Sequence, residues 1–273
     1  MALNETDKAQ IARARELLTQ RSFAVRLTDL VGRPVERSLR LLPAPVANTI
    51  QDLTRRALQR TAKFGLGTLR DGSTRDSRDR MHRWLTAATG GAGGAFGLPG
   101  LAVELPITTA VMFRSIGDIA RSEGHDPADP RVRLECLEVF ALGGPGSADD
   151  AAETGYYAVR AALSQAVADA TRHVAAHGLG RRGGPALIRL IEAVAARFGV
   201  AVQERVLLSA LPVLGAVSGA WINTVFMEHY QGLARGHFML RRLEQAHGRE
   251  AVEQEFRRGD AEDGSVADRI ARP

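Results

Sequence analysis

Three groups of residues in this chain have the types and spacing to do chemistry. The first centres on Glu104, the one charged residue within WLTAATGGAGGAFGLPGLAVELPITTAVMF, residues 84–113. From Glu104, positions 108, 111, 115, 118 and 122 recur by fours and threes and carry Thr, Val, Ser, Asp and Ser. That spacing lays one polar seam along a helix that is otherwise apolar. Arg114 precedes Asp118 by four residues, which is ion-pair spacing on a helix. Two readings of the seam stand. It is a solvent-facing stripe or a packed Glu104–arginine pair, or it holds a buried carboxylate whose burial raises its pKa and makes it available to a proton, a cation or a headgroup.

The second group lies downstream. Glu153, Tyr157 and Arg160 share one helical face, and Asn223, Met227, Tyr230, Ala234, His237 and Arg241 make a polar seam on another helix. His229 falls on the opposite stripe with Ile222, Phe226, Leu233 and Leu240, the position of a satisfied core histidine. Together these helices offer carboxylate, phenol, amide, imidazole and guanidinium groups, the parts of a hydrolase or transferase site if they converge. Spacing alone leaves their convergence open. The third group, His173 and His177, has the i, i+4 spacing of a metal pair, but VAA between them lacks the glutamate of a zincin. Both stand in the last turn before Gly178, where the helix dipole favours a partial positive charge, so capping is the expected role.

Other chemistry is excluded by motif. Neither Lys8 nor Lys63 follows a phosphate-binding glycine loop, GLGTLR at 65–70 lacks the third glycine of a dinucleotide fingerprint, and Ser218 in GAVSG is one place late for a nucleophile elbow. No cofactor and no metal is expected. Cys136, the single cysteine, excludes an intrachain disulfide and a cysteine-rich zinc site.

The elements that must position these residues are helices. Alanine, leucine and arginine dominate and no period-2 alternation persists. Helices are expected over 7–19, 21–31 and 46–70, then a polar loop RDGSTRDSRDR. The glycine-rich run follows, its prolines acting as bends or helix starts, and a helix ends at Gly124. VRLECLEVFAL reads as a short, largely buried helix. Further helices are expected over about 148–177, with Ser147 and Asp150 at its start, from Pro185 to Phe198, and over 201–247, bent or split by Pro212 and Gly215. The fold class is all-α, a single multi-helix bundle with two glycine-rich apolar segments packed centrally. Residues 1–20 form an amphipathic N-terminal extension, 20–257 the helical domain and 258–273 a disordered tail.

The second apolar segment, Val206–Met227, has 22 uncharged residues. Both segments reach the length of about 20 residues that spans a bilayer, yet glycine and proline interrupt both. Their small-xxx-small spacings, Gly90/Gly94, Gly93/Gly97 and Gly215/Gly219, suit close helix packing or a shallow insertion in one leaflet. The formal charge is +5, and the basic residues are almost all arginine and dispersed among acids. That pattern fits a solvated surface or an anionic lipid surface better than a nucleic acid, so no nucleic-acid partner is expected. The N-terminus lacks an apolar signal region, which places the expected location in the cytoplasm, with peripheral contact to the inner membrane.

GGAGGAFGLPGLAVELPITTAVMFRSIGDIARSEG, RLECLEVFALGG, AETGYYAVRAAL, ARFGVAVQERV and LPVLGAVSGAWINTVFMEHYQGLARGHFMLRRLEQAHG together resemble the EcsC protein family over roughly residues 20–257. The resemblance implies a bacterial, all-helical, cytoplasmic or membrane-associated protein, accessory to an ABC transporter in a setting of secretion and intramembrane proteolysis. It implies no settled catalytic residues or cofactor. Glu104, Pro106, Arg114, Asp118, Glu153, Tyr157, Arg160, Pro212, Gly215, Asn223, His229, His237 and Arg241 carry over as motif members without assigned roles. The expected function is accessory, with a membrane protein or anionic lipid as partner. The alternative is a hydrolase or transferase on lipid or peptide, built around Glu104, and a more distant one is a pore former.

Overall fold

The computed structural model describes residues 3–19, 43–68, 97–143, 155–177, 184–209 and 217–270. Eight helices and no strand occur among them: α1 Glu5–Leu18, α2 Ala44–Thr68, α3 Gly97–Ser122, α4 Pro130–Leu142, α5 Gly155–His177, α6 Pro185–Ser209, α7 Val217–His247 and α8 Arg249–Ile270. The helices pack as one bundle, as the composition predicts. The segments 21–31, the 70–80 loop, the Ser147/Asp150 start, Glu153, Gly178, Pro212, Gly215 and the Gly90/Gly94 pair lie outside the described residues.

Local chemistry sets the helix ends. Asn4 and Asp7 form a capping box at α1, the Asn4 side chain accepting from Asp7 N at 2.8 Å and the Asp7 carboxylate from Asn4 N at 3.1 Å. Asp129 caps α4 by accepting from Arg131 N at 2.8 Å, with Pro130 in the first turn where its missing N–H costs nothing. Gly124 takes φ +89° just past α3, a left-handed conformation that a side chain resists. α3 continues through Pro106. α6 runs unbroken past Phe198 to Ser209, because Ala201, Val202 and Leu208 go on filling the core.

α7 is the axis of the bundle. Both of its stripes are buried, Ile222, Phe226, His229, Leu233 and Leu240 on one and Asn223, Met227, Tyr230, Ala234 and His237 on the other. A helix buried on two stripes, with only the face of Trp221, Thr224, Glu228, Arg235 and Arg242 reaching solvent, must sit among several others. α3 runs parallel to it, matched by Glu104 with Asn223, Ser115 with Gln231 (2.9 Å) and His125 with Phe238 O (2.9 Å). The described parts of the two apolar segments, in α3 and α7, are therefore neighbours within the bundle. Phe140 of α4, Phe198 of α6 and Phe226 and Tyr230 of α7 stack in the core, with centroids 4.8–6.1 Å apart.

α1 packs antiparallel on α7 through Ile11 and Ala14, held by Arg242 to Gln10 (2.9 Å) and His247 to Asp7 (3.1 Å). Its backbone crosses over Gly236, where an added Cβ would lie 3.0 Å from Ala14 O. α8 carries helix through residues 258–270, the stretch whose polarity suggests a disordered tail. Val252 and Phe256 anchor its first turns in a second, smaller core, and Glu253 pairs with Arg249 (3.3 Å) and Arg257 (2.7 Å) along its surface. No helix among the described residues is long and apolar enough to cross a membrane.

Candidate functional site

The polar residues singled out by spacing are divided between two buried clusters, joined by α7. Asn223 and His237 are 14 residues apart, which is about 21 Å along the helix.

The first cluster surrounds Glu104 at the end of the bundle where α3 and α7 begin. Glu104 is 5 % exposed. Arg205 of α6 donates through Nη2 to Oε2, Thr108 Oγ1 donates to Oε1, and Asn223 Nδ2 donates to Oε1 at 3.3 Å. Of the sequence alternatives, the packed arginine pair is the one realised. The polar seam of α3 turns inward over its first half, with Thr108 and Ser115 buried. Arg205 stacks over the Phe226 ring at 5.6 Å, and its Nε and Nη1 are buried without a hydrogen-bond partner. A buried orphan donor costs about 1–3 kcal/mol. Further along, Asp118 pairs with Arg121 at 3.1 Å rather than with Arg114, whose side chain is exposed. The i, i+3 partner wins because Arg114 lies on the outer face of α3.

The second cluster lies among α4, α5 and α7. Arg160 donates to both oxygens of Glu244, from Nη1 at 2.6 Å and from Nη2 at 2.9 Å. Arg241 bridges Glu244 (2.8 Å) to Glu135, which it meets through Nε at 3.1 Å and Nη2 at 2.8 Å. Arg131 adds a contact to Glu135 at 3.2 Å. Against the penalty of burial, the hydrogen bonds and charges of Arg160 and Arg241 hold the Glu244 carboxyl below its usual range. Glu138, one turn on from Glu135, is pushed up to about 7, chiefly by burial, with Glu135 and Glu244 adding to the rise and Arg160 and Arg241 opposing it.

His237 is fully buried, with Tyr156 Oη 3.1 Å from its Nδ1 and Arg160 Nη1 3.3 Å from the same phenol oxygen. Burial and then the positive charges of Arg160 and Arg241 drive its pKa well down, so the ring is neutral. The His237 Nε2 is buried without a hydrogen-bond partner. Tyr157 is not in this chain of bonds. Its ring packs edge-on against Phe256 at 5.3 Å, with the Arg160 guanidinium 5.5 Å from its centroid.

His229, His173 and His177 lie outside these clusters. His229 is buried edge-on against Tyr230 at 5.3 Å. His173 and His177 stack at 4.8 Å. His177 Nδ1 lies 3.2 Å from His173 O, and His173 Nε2 accepts from Gly184 N at 3.1 Å, tying the end of α5 to the start of α6. No group of side chains among the described residues is arranged to hold a metal. Burial pushes the Cys136 thiol up and keeps it inert.

Sequence spacing missed Arg205, Tyr156, Glu135, Glu138 and Glu244. Arg205 had a signal, being the last charge before the second apolar segment, as Glu104 is the lone charge of the first. Glu135 and Glu138 had another, two carboxylates in a short helix whose other residues read as buried. Glu244 had none, since its partner Arg160 is 84 residues away.

The model of the EcsC protein family matches residues 9–243, from the middle of α1 to near the end of α7, and leaves α8 outside. No curated protein and no solved structure matches the chain significantly. Most of the chain lies within the family match, including Glu104, Arg205, Asn223, Arg160, His237 and Arg241, and the protein belongs to the EcsC protein family.

Proposed function

We propose that this protein is a non-catalytic accessory that docks on the cytoplasmic face of a membrane, in support of transport, secretion or membrane proteolysis. The observation that carries the reading is the placement of exposed apolar side chains. Four large hydrophobic residues are exposed among the described residues, and three of them, Val103 (68 %), Ile107 (47 %) and Trp221 (37 %), lie on the starting turns of α3 and α7. The apolar stretches 84–96 and 210–216 are joined covalently to those same turns. Apolar residues gathered at one end, fed by two apolar segments that form no spanning helix among the described residues, suit an interfacial contact with lipid.

The enzyme alternative around Glu104 finds less support. Both carboxylate oxygens are spent on Arg205, Thr108 and Asn223, which leaves little for a proton or substrate. Flotation with vesicles tests the proposal. The full chain is expected to rise with vesicles containing phosphatidylglycerol at low salt, and a chain that stays at the bottom of the gradient would refute membrane docking.

A further inference from the structure

We infer that Arg205 is the receptor for a phosphate group at the end of the bundle where α3 and α7 begin, an inference that rests on the docking reading and names the headgroup chemistry of the same site. The evidence is an incomplete guanidinium. Its Nη2 donates to Glu104, while Nε and Nη1 are buried and have no partner. Among the described residues it is the one arginine with such orphaned nitrogens. Arg160 and Arg241 show how this chain completes a buried guanidinium, each forking onto a carboxylate with two nitrogens. Arg205 has one carboxylate contact and spare donors in the fork geometry that suits phosphate.

The electrostatic setting agrees. Glu104 and Asn223 place the starts of α3 and α7 together, and Gln203 Nε2 to Ala47 O at 3.4 Å brings the start of α2 to the same end. Three helix N-termini, each with partial positive charge, thus lie at the same end of the bundle as the C-terminus of α6. Glu104 is the carboxylate on the guanidinium. Val103, Ile107 and Trp221 rim this end with apolar surface, which fits a phosphate carried on an acyl chain.

Calorimetry on the full chain tests the inference with inorganic phosphate and with dihexanoylphosphatidic acid below its micelle concentration, in buffer of constant ionic strength. Saturable binding is expected. Tighter binding of the lipid assigns a headgroup phosphate, and equal binding of both probes assigns free phosphate at the same Arg205 site. Arg205→Lys keeps the ion pair with Glu104 but loses the fork, and should weaken binding by about tenfold or more. Glu104→Gln removes the competing carboxylate and should strengthen it. Absence of saturable binding by the wild-type chain, or an Arg205→Lys variant that is folded by circular dichroism and binds as tightly, overturns the inference. If Arg205→Lys does not fold, Glu104→Gln decides, and unchanged or weaker binding by that variant overturns it. Docking fails separately: loss of vesicle flotation with phosphate binding intact removes the membrane, and flotation without phosphate binding removes the anion site alone.

Discussion

Arg160 on α5 and Glu244 on α7 face each other through two parallel hydrogen bonds of 2.6 and 2.9 Å, both side chains under a tenth exposed. Arg241 holds the same carboxylate from the side at 2.8 Å. The cluster therefore has a centre, and the centre is the carboxylate.

Removing Glu244 takes from Arg160 the carboxylate it forks onto and leaves Arg241 with Glu135 alone, whereas removing Arg160 leaves Glu244 still paired with Arg241. Glu244→Leu is expected to cost about 3–5 kcal/mol of stability, the usual consequence of breaking a buried pair from one side. Arg160→Met should cost less. Urea unfolding of the two variants checks the order, and equal losses would contradict a carboxylate-centred network.

Stability should respond to pH through two groups of opposite sign. Glu138 titrates near 7 in the folded chain and near 4.5 unfolded, so its contribution is full below pH 4.5 and is lost as pH rises to about 7. The loss at neutral pH is about 3 kcal/mol. His237 has a folded pKa well below its ordinary 6.5, so its contribution is present above pH 6.5 and is lost as pH falls. Between pH 4.5 and 6.5 the two slopes oppose each other in the wild-type chain. Glu138→Gln should make stability rise with pH across that window, and His237→Gln should make it fall. Melting temperatures taken through the window are the measurement, and parallel profiles for the two variants would refute the assignment.

The α1–α7 crossing makes a sharper demand at Gly236 than at Gly232. A Cβ at Gly236 would sit 2.7 Å from Leu18 Cγ and 3.0 Å from the Ala14 carbonyl, while at Gly232 the nearest atom is 3.8 Å away. Gly236→Ala is expected to destabilise by about 1–3 kcal/mol through overpacking. Gly232→Ala should be neutral or gain up to about 1 kcal/mol from helix propensity. Denaturant midpoints distinguish the two.

Val103 and Ile107 are exposed, so replacing both with serine should change stability by no more than about 0.5 kcal/mol per site. Vesicle flotation of the double variant should drop sharply. A variant that floats as the parent does would place the lipid contact elsewhere on the protein.

Local information was enough for much of the fold. Gly124 and Pro185 mark helix ends that the structure reproduces, because turns and first-turn positions depend on neighbours in the chain. The apolar period of α7 was legible, but not that both its stripes are buried. That outcome depends on how many helices surround it. Val252 and Phe256 of α8 were not legible as core residues, because the second core that recruits them is assembled from α1, α5 and α7 as well.

The sequence by itself determined the helical class, the family and the polar seam on α3, since these follow from periodicity and motif within single segments. It also marked Glu104 as a charge that needed a partner. Only the tertiary structure decided that the partner is Arg205, that Asp118 goes to Arg121, and that Arg160, His237 and Arg241 form a cluster apart from Glu104. The physical reason is that a buried charge is stabilised by whatever group packing brings within hydrogen-bond reach. For Glu104 and Arg205 that reach spans 101 residues of chain, a distance over which no spacing rule operates.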